Sequence, residues 1–164
     1  MGIRARMNKI NEAFKIYVDQ LHDGRIEYIE EKFPADFLAL KLEDELRFTG
    51  EVLMDGQTYL ANDALVLRFS VTAHAVLPCS ICNQPVDVEI NIQDFYHMEP
   101  LAAIKSAVYC FENLLRETIL LEAPAFVECN NGKCDNRNKM KKFLKTQGES
   151  SPDEEGHQPF AHLT

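Results

Sequence analysis

Between residues 42 and 92 apolar and polar positions alternate with a period of two. Leu46, Phe48, Gly50, Val52 and Met54 alternate with Arg47, Thr49 and Glu51. Leu65, Leu67, Phe69, Val71, Ala73 and Ala75 alternate with Arg68, Ser70, Thr72 and His74. Val86, Val88, Ile90 and Ile92 alternate with Asp87, Glu89, Asn91 and Gln93. A strand points successive side chains to opposite faces, so this pattern predicts an antiparallel sheet with one wet face. Asp55-Gly56 is a dipeptide that favours a tight hairpin turn, which would let Thr58 to Ala61 pair back, and Asn62-Asp63 is a second turn signal.

The period then changes. Leu101, Ile104, Val108, Phe111 and Leu115 are spaced by three and four, which predicts a helix near 100–117 opening at Pro100. Ile119-Leu120-Leu121 before Pro124 reads as a short buried strand or an extension of that helix. Near the start, Ile10, Phe14, Tyr17, Val18 and Leu21 have helix-like spacing, and Tyr28 to Pro34 reads as an edge strand or a loop. The fold class expected is α+β: a mainly antiparallel sheet or partly open barrel with one main helix. Residues 1–40 would pack on a β-rich core at 41–128. Residues 129–145 would carry a cysteine pair and a basic segment. Residues 146–164 would form an acidic tail whose stretch GESSPDEEGHQ has a disordered composition.

Composition narrows the function. The chain has 164 residues and 46% apolar content, enough for a core. Its apolar runs are far shorter than the roughly 18–20 residues that span a bilayer, and no secretory pattern opens it, so a cytoplasmic protein with no membrane partner is expected. The net charge of −9 is unevenly spread. Residues 16–128 hold seven Lys/Arg against twenty Asp/Glu, whereas residues 129–145 hold six against one. An acidic body is a poor general surface for nucleic acid, so phosphate contacts would come from the basic segments.

Five cysteines, Cys79, Cys82, Cys110, Cys129 and Cys134, stand in a chain expected to stay reduced. Cys79 and Cys82 form a C-x2-C turn between two strand patterns. Cys129 and Cys134 form a second pair around Asn-Asn-Gly, which permits a tight turn. Together they offer the four thiolates of one structural zinc site. Reduced, non-ligating cysteines and a redox pair at Cys79 and Cys82 are the alternatives. Strands flank the latter pair, where a redox motif wants a helix start. Cys110 reads as a small buried hydrophobe, and His74 as an exposed strand histidine. No catalytic or nucleotide-binding motif is present, so neither an enzyme nor a small-molecule substrate is expected. In KCDNRNKMKKFLK, the cations Lys133, Arg137, Lys139, Lys141 and Lys142 could neutralise phosphates, and Phe143 could stack on a base. A solvated helix balancing the acidic body is the plain alternative.

The order of three stretches resembles bacterial YceD-type proteins, described as large ribosomal RNA subunit accumulation proteins. These are the C-x2-C turn followed by Pro85, the run Leu114 to Pro124, and Gln158-Pro159-Phe160-Ala161-His162-Leu163 at the terminus. The resemblance covers most of 40–125 plus that terminus. It departs at Cys129 to Cys134, where many members have a tighter, glycine-rich motif. It implies a non-enzymatic role in accumulation of large-subunit (23S) rRNA, by binding that rRNA or a ribosomal protein. The family's genes often neighbour the one for ribosomal protein bL32, which is therefore an expected partner. The tail would act as a docking peptide anchored by Phe160. A thiol-dependent enzyme using Cys79 and Cys82, or a protein-only adaptor, are the rival readings.

Overall fold

The computed structural model describes residues 12–38 and 45–141. Four strands form an open antiparallel sheet in the order β2 (Ile26–Pro34), β3 (Arg47–Ala61), β4 (Ala64–Pro78), β5 (Pro85–Pro100). A two-stranded ribbon pairs β1 (Lys15–Tyr17) with β6 (Val108–Cys110). Helix α1 (Glu112–Glu122) follows. The α+β class and the antiparallel sheet are as the periodicity predicts. The sheet is not closed: β2 and β5 are its edges.

One face of the sheet carries the core. Met54, Leu65, Leu67, Phe69, Val71, Ala73, Ile90 and Ile92 are buried there. Leu115 and Ile119 of α1 belong to the same core. Phe14 stacks on Phe33 with ring centroids 4.2 Å apart, and Phe111 meets Phe14 edge-on at 5.7 Å. Thr58, the one buried polar residue among the described ones, donates to the Val66 carbonyl at 2.9 Å and so keeps its hydroxyl satisfied.

Three expectations need correction. Asp55-Gly56 is not a turn. Strand β3 runs straight through it, and the hairpin turn is Asn62-Asp63, with φ of 48° and 60°. Gly56 serves a close approach instead. It lies opposite Phe69, and a Cβ there would sit 2.5 Å from the Phe69 Cβ. The glycine allows two strands to stay paired beneath a large ring. The helix expected at 100–117 begins only at Glu112. Strand β5 continues to Pro100, Leu101–Ala103 make one 3₁₀ turn, and Val108–Cys110 are claimed by pairing with β1. A tertiary partner far off in sequence outcompetes a merely compatible spacing. Ile119 to Leu121 then extend the helix, which Pro124 stops. Finally, Cys110 is exposed, because it sits on the β6 ribbon and not on a helix flank.

Tyr28 to Pro34 is an edge strand, and the helix-like spacing near the start is helical at residues 12–13 and then gives way to β1 and a 3₁₀ segment at Val18–Gly24. Ile10 and the tail at 146–164 lie outside the described residues. Two irregularities bend the sheet. Gly50, at φ 72°, takes up the register shift between Thr49 and Leu53, and Asp94, at φ 54°, bulges opposite Ser70.

Gly56→Ala is expected to lower stability by about 1–3 kcal/mol, the range for forcing a methyl group into a packed site. Urea unfolding measures this; an unchanged midpoint would show that the strands part there freely.

Candidate metal centre

Cys79 directly follows the last residue of β4, and the turn after it is built to hold its neighbour close. The Cys79 N–H donates to the Gln84 carbonyl at 2.8 Å, and the Asn83 N–H returns to the Cys79 carbonyl at 2.9 Å. Asn83 is at φ 64°, which asparagine tolerates better than most residues. Cys82 lies inside this turn. The second pair arrives along a parallel bridge between Cys79 and Val127. Both the N–H and the hydroxyl of Ser80 donate to the Val127 carbonyl, at 2.9 and 2.7 Å.

Cys129 to Cys134 turn tightly in the left-handed region. Asn130, Asn131 and Gly132 have φ of 53°, 52° and 83°. Three consecutive left-handed residues are costly for most side chains, and Asn-Asn-Gly is a run that bears them. Glu128 locks the loop. Its carboxylate accepts from the Cys134 N–H at 2.8 Å and takes both ends of the Arg137 guanidinium.

All four sulfurs lie within 4.8 Å of one another, and Cys82 Sγ is 3.7 Å from Cys129 Sγ. That is too long for a disulfide, whose sulfurs are about 2.05 Å apart. It matches the edge of a metal–thiolate tetrahedron, about 3.8 Å for metal–sulfur bonds of about 2.3 Å. The backbone N–H groups of Ile81 and Cys129 both point at Cys79 Sγ, each at 3.4 Å. N–H donors aimed at sulfur stabilise a thiolate and orient it. Cys79, Cys82, Cys129 and Cys134 can therefore hold a metal ion.

The electrostatics agree. Donation from the Cys129 backbone pulls the Cys79 thiol down to about 6, while Cys129 is pushed well above the usual thiol range by its hydrogen bond to Cys134 and by burial. Burial also pushes the Cys134 thiol up. Without a cation, Cys79 is favoured as a thiolate, while Cys129 and Cys134 favour their protons. A divalent ion displaces the protons.

The other expected site residues divide. Lys133, Lys139 and Lys141 are exposed, on and beside the short helical turn Arg137–Met140. Arg137 is committed to Glu128 and is not a free cation. Lys142, Phe143 and Phe160 lie outside the described residues. His74 is exposed, as expected. Sequence reading missed Glu128 and Phe126. Glu128 stands one place before Cys129, a weak signal that only the folded loop explains. Phe126 is 85% exposed beside the bridge to Cys79. No helix among the described residues is long and apolar enough to cross a membrane. No family model, curated protein or solved structure matches this chain.

Two outcomes are expected. Metal retention against a fixed chelator falls as pH falls, because Cys129 and Cys134 must lose protons to bind; a pH-independent profile would argue against thiolate ligation. Glu128→Gln weakens metal affinity about ten-fold, the lower end for loss of a group that positions a ligand. The Glu128 carboxyl is held below its usual range, first by Arg137 and then by the Cys134 N–H. Its stabilisation is present above the ordinary carboxylate value and is lost as pH drops through the depressed one. In Glu128→Gln that part of the acid-side loss should vanish while the thiol-linked fall remains, so the difference between the two chelator profiles across pH reads the Glu128 contribution.

Proposed function

We propose that the chain is a non-enzymatic binding factor in accumulation of large-subunit rRNA, with Cys79, Cys82, Cys129 and Cys134 holding one structural zinc. The four-sulfur cluster carries the reading. Zinc suits a closed set of four thiolates, whereas a catalytic zinc keeps an open position. Cys79 and Cys134 are buried, which favours a structural role over thiol exchange with a substrate.

The cluster fastens the loop at Cys129 to the end of the sheet, and the exposed Lys133, Lys139 and Lys141 follow directly. These cations can meet phosphates, and the exposed Phe126 offers a ring for an unpaired base. The resemblance to YceD-type proteins supplies the biological setting, large-subunit rRNA and ribosomal proteins such as bL32. It rests on the motifs around Cys79, Leu114 to Pro124 and Phe160.

The test is the ratio of large- to small-subunit rRNA after depletion in the native cell. Depletion should lower it selectively. Wild-type chain should restore it, and the double variant Lys139→Glu/Lys141→Glu should not. An unchanged ratio on depletion would overturn the reading. Elemental analysis of the purified chain should find about one zinc per chain, and iron in its place would redirect the site to redox chemistry.

A further inference from the structure

The sheet has a second face, away from the core, and it is not uniformly polar. Ile26, Tyr59, Val66 and Met98 lie opposite one another across all four strands. Val66 is buried at the centre of this row, while Ile26 and Met98 are 50% and 45% exposed at its ends. Directly paired residues share a face, so these side chains form one apolar stripe. The next row is Tyr28, Gln57, Arg68 and Tyr96, with the two tyrosines 76% and 53% exposed. Beyond it, Glu30 pairs with Asp55.

Two features select an occupant. Arg68 cannot serve as a free cation, because Asp94 holds its guanidinium at both ends. Among the described residues neither Glu30 nor Asp55 has an ion-pair partner. Between these rows lies a shallow cavity of about 200 Å³ walled by Tyr28, Asp55, Gln57, Arg68, Ser70 and Asp94. A ring and a carboxylate flanking one hollow suit a lysine or arginine head, and the apolar stripe beside it suits an aliphatic or aromatic anchor. A phosphate backbone would face carboxylates on these rows and gain nothing.

We propose that this outer face docks a basic polypeptide segment, its lysine or arginine seated between Tyr28 and Asp55 and its apolar side chains on the Ile26–Met98 row. It rests on the reading of the chain as a binding factor, and it gives the acidic body a protein partner while the lysines beyond Cys129 face rRNA.

The probe is a labelled peptide of alternating lysine and leucine, titrated into the zinc-loaded full chain and followed by anisotropy and amide NMR shifts. Binding should weaken with salt and move amides around Tyr28, Arg68 and Tyr96. Tyr96→Ser/Met98→Ser and Glu30→Lys/Asp55→Lys should each weaken it roughly ten-fold or more, the scale of losing interface anchors. Asp87→Lys/Glu89→Lys, at the other end of the sheet, should leave it nearly unchanged. All substitutions are at exposed positions, and retained zinc and dispersed spectra verify folding. Equal affinity for every variant would overturn the proposal. So would the same amides responding to a single-stranded RNA oligonucleotide and not to the peptide. A dimer of the free chain that the Tyr96/Met98 variant dissolves would assign the face to a second copy instead. Peptide affinity is read on the isolated chain and the rRNA ratio in cells, so failure of one is separable from failure of the other.

Discussion

The pairing of β4 on both sides is the constraint from which the rest follows. Ala64–Pro78 bonds to β3 along one edge and β5 along the other for nearly its whole length. A slip of one residue would turn every buried side chain of a strand to the wrong face, so the register must be held firmly. Several devices hold it. The Asn62-Asp63 turn fixes the hairpin, the Thr58 hydroxyl reaches the Val66 carbonyl, and Gly56 admits Phe69. Each acts on the β3–β4 pair. The Asp94 bulge then lets β5 recover its alternation after Ser70. The register delivers Cys79 to the end of the sheet and Val66 to the outer face.

The cysteine cluster is a consequence of that delivery and also closes what the sheet leaves open. The loop at Cys129 contributes no described side chain to the core except Cys134, so burial of apolar surface does little to hold it. What holds it is the bridge at Val127, the Glu128 carboxylate and the Cys129 N–H donated to Cys79 Sγ. A cation binding there ties positions 47 residues apart in the chain, Cys82 to Cys129, and removes the freedom of a long loop. It would also displace protons, because the hydrogen bond to Cys134 and burial raise the Cys129 thiol, and burial raises the Cys134 thiol. Folding of the loop and binding of an ion there would then be one equilibrium.

Much of this was legible in the residues, and the misses share a cause. Alternation from Leu46 to Ile92 marked the inner face of the sheet, though not the full lengths of β3 and β5. The Asn62-Asp63 turn and the C-x2-C turn were readable because both are local. Asp55-Gly56 misled because glycine serves turns and close approaches alike, and only the ring of Phe69 across the ladder decides between them. The spacing from Leu101 to Leu115 misled because β1, nearly a hundred positions earlier, claims Val108 to Cys110 as a strand. Cys110 was misplaced for the same reason. Convergence of the two cysteine pairs, and the part played by Glu128, depend on a bridge between Cys79 and Val127 that no local pattern announces. Val66 was a signal passed over: an apolar residue out of phase with its strand marks something on the other face.

That out-of-phase residue changes how the charge of the chain is understood. An acidic body with a basic segment could simply be two solvated surfaces in balance. The outer face argues otherwise, because its carboxylates Glu30 and Asp55 flank an apolar row. A solvated acidic face needs no row of Ile26, Tyr59, Val66 and Met98, and exposing one has a cost in solubility. The lysines beyond Cys129 follow a loop that hydrogen bonds, with little apolar burial, hold in place. On the proposed reading, one end of the molecule offers shape-dependent apolar contact and the other long-range attraction. A rigid sheet between them fixes their separation, which a tethered acidic chain could not do. The structural expense of a four-sulfur loop makes sense if position, and not charge alone, is what the basic segment must supply.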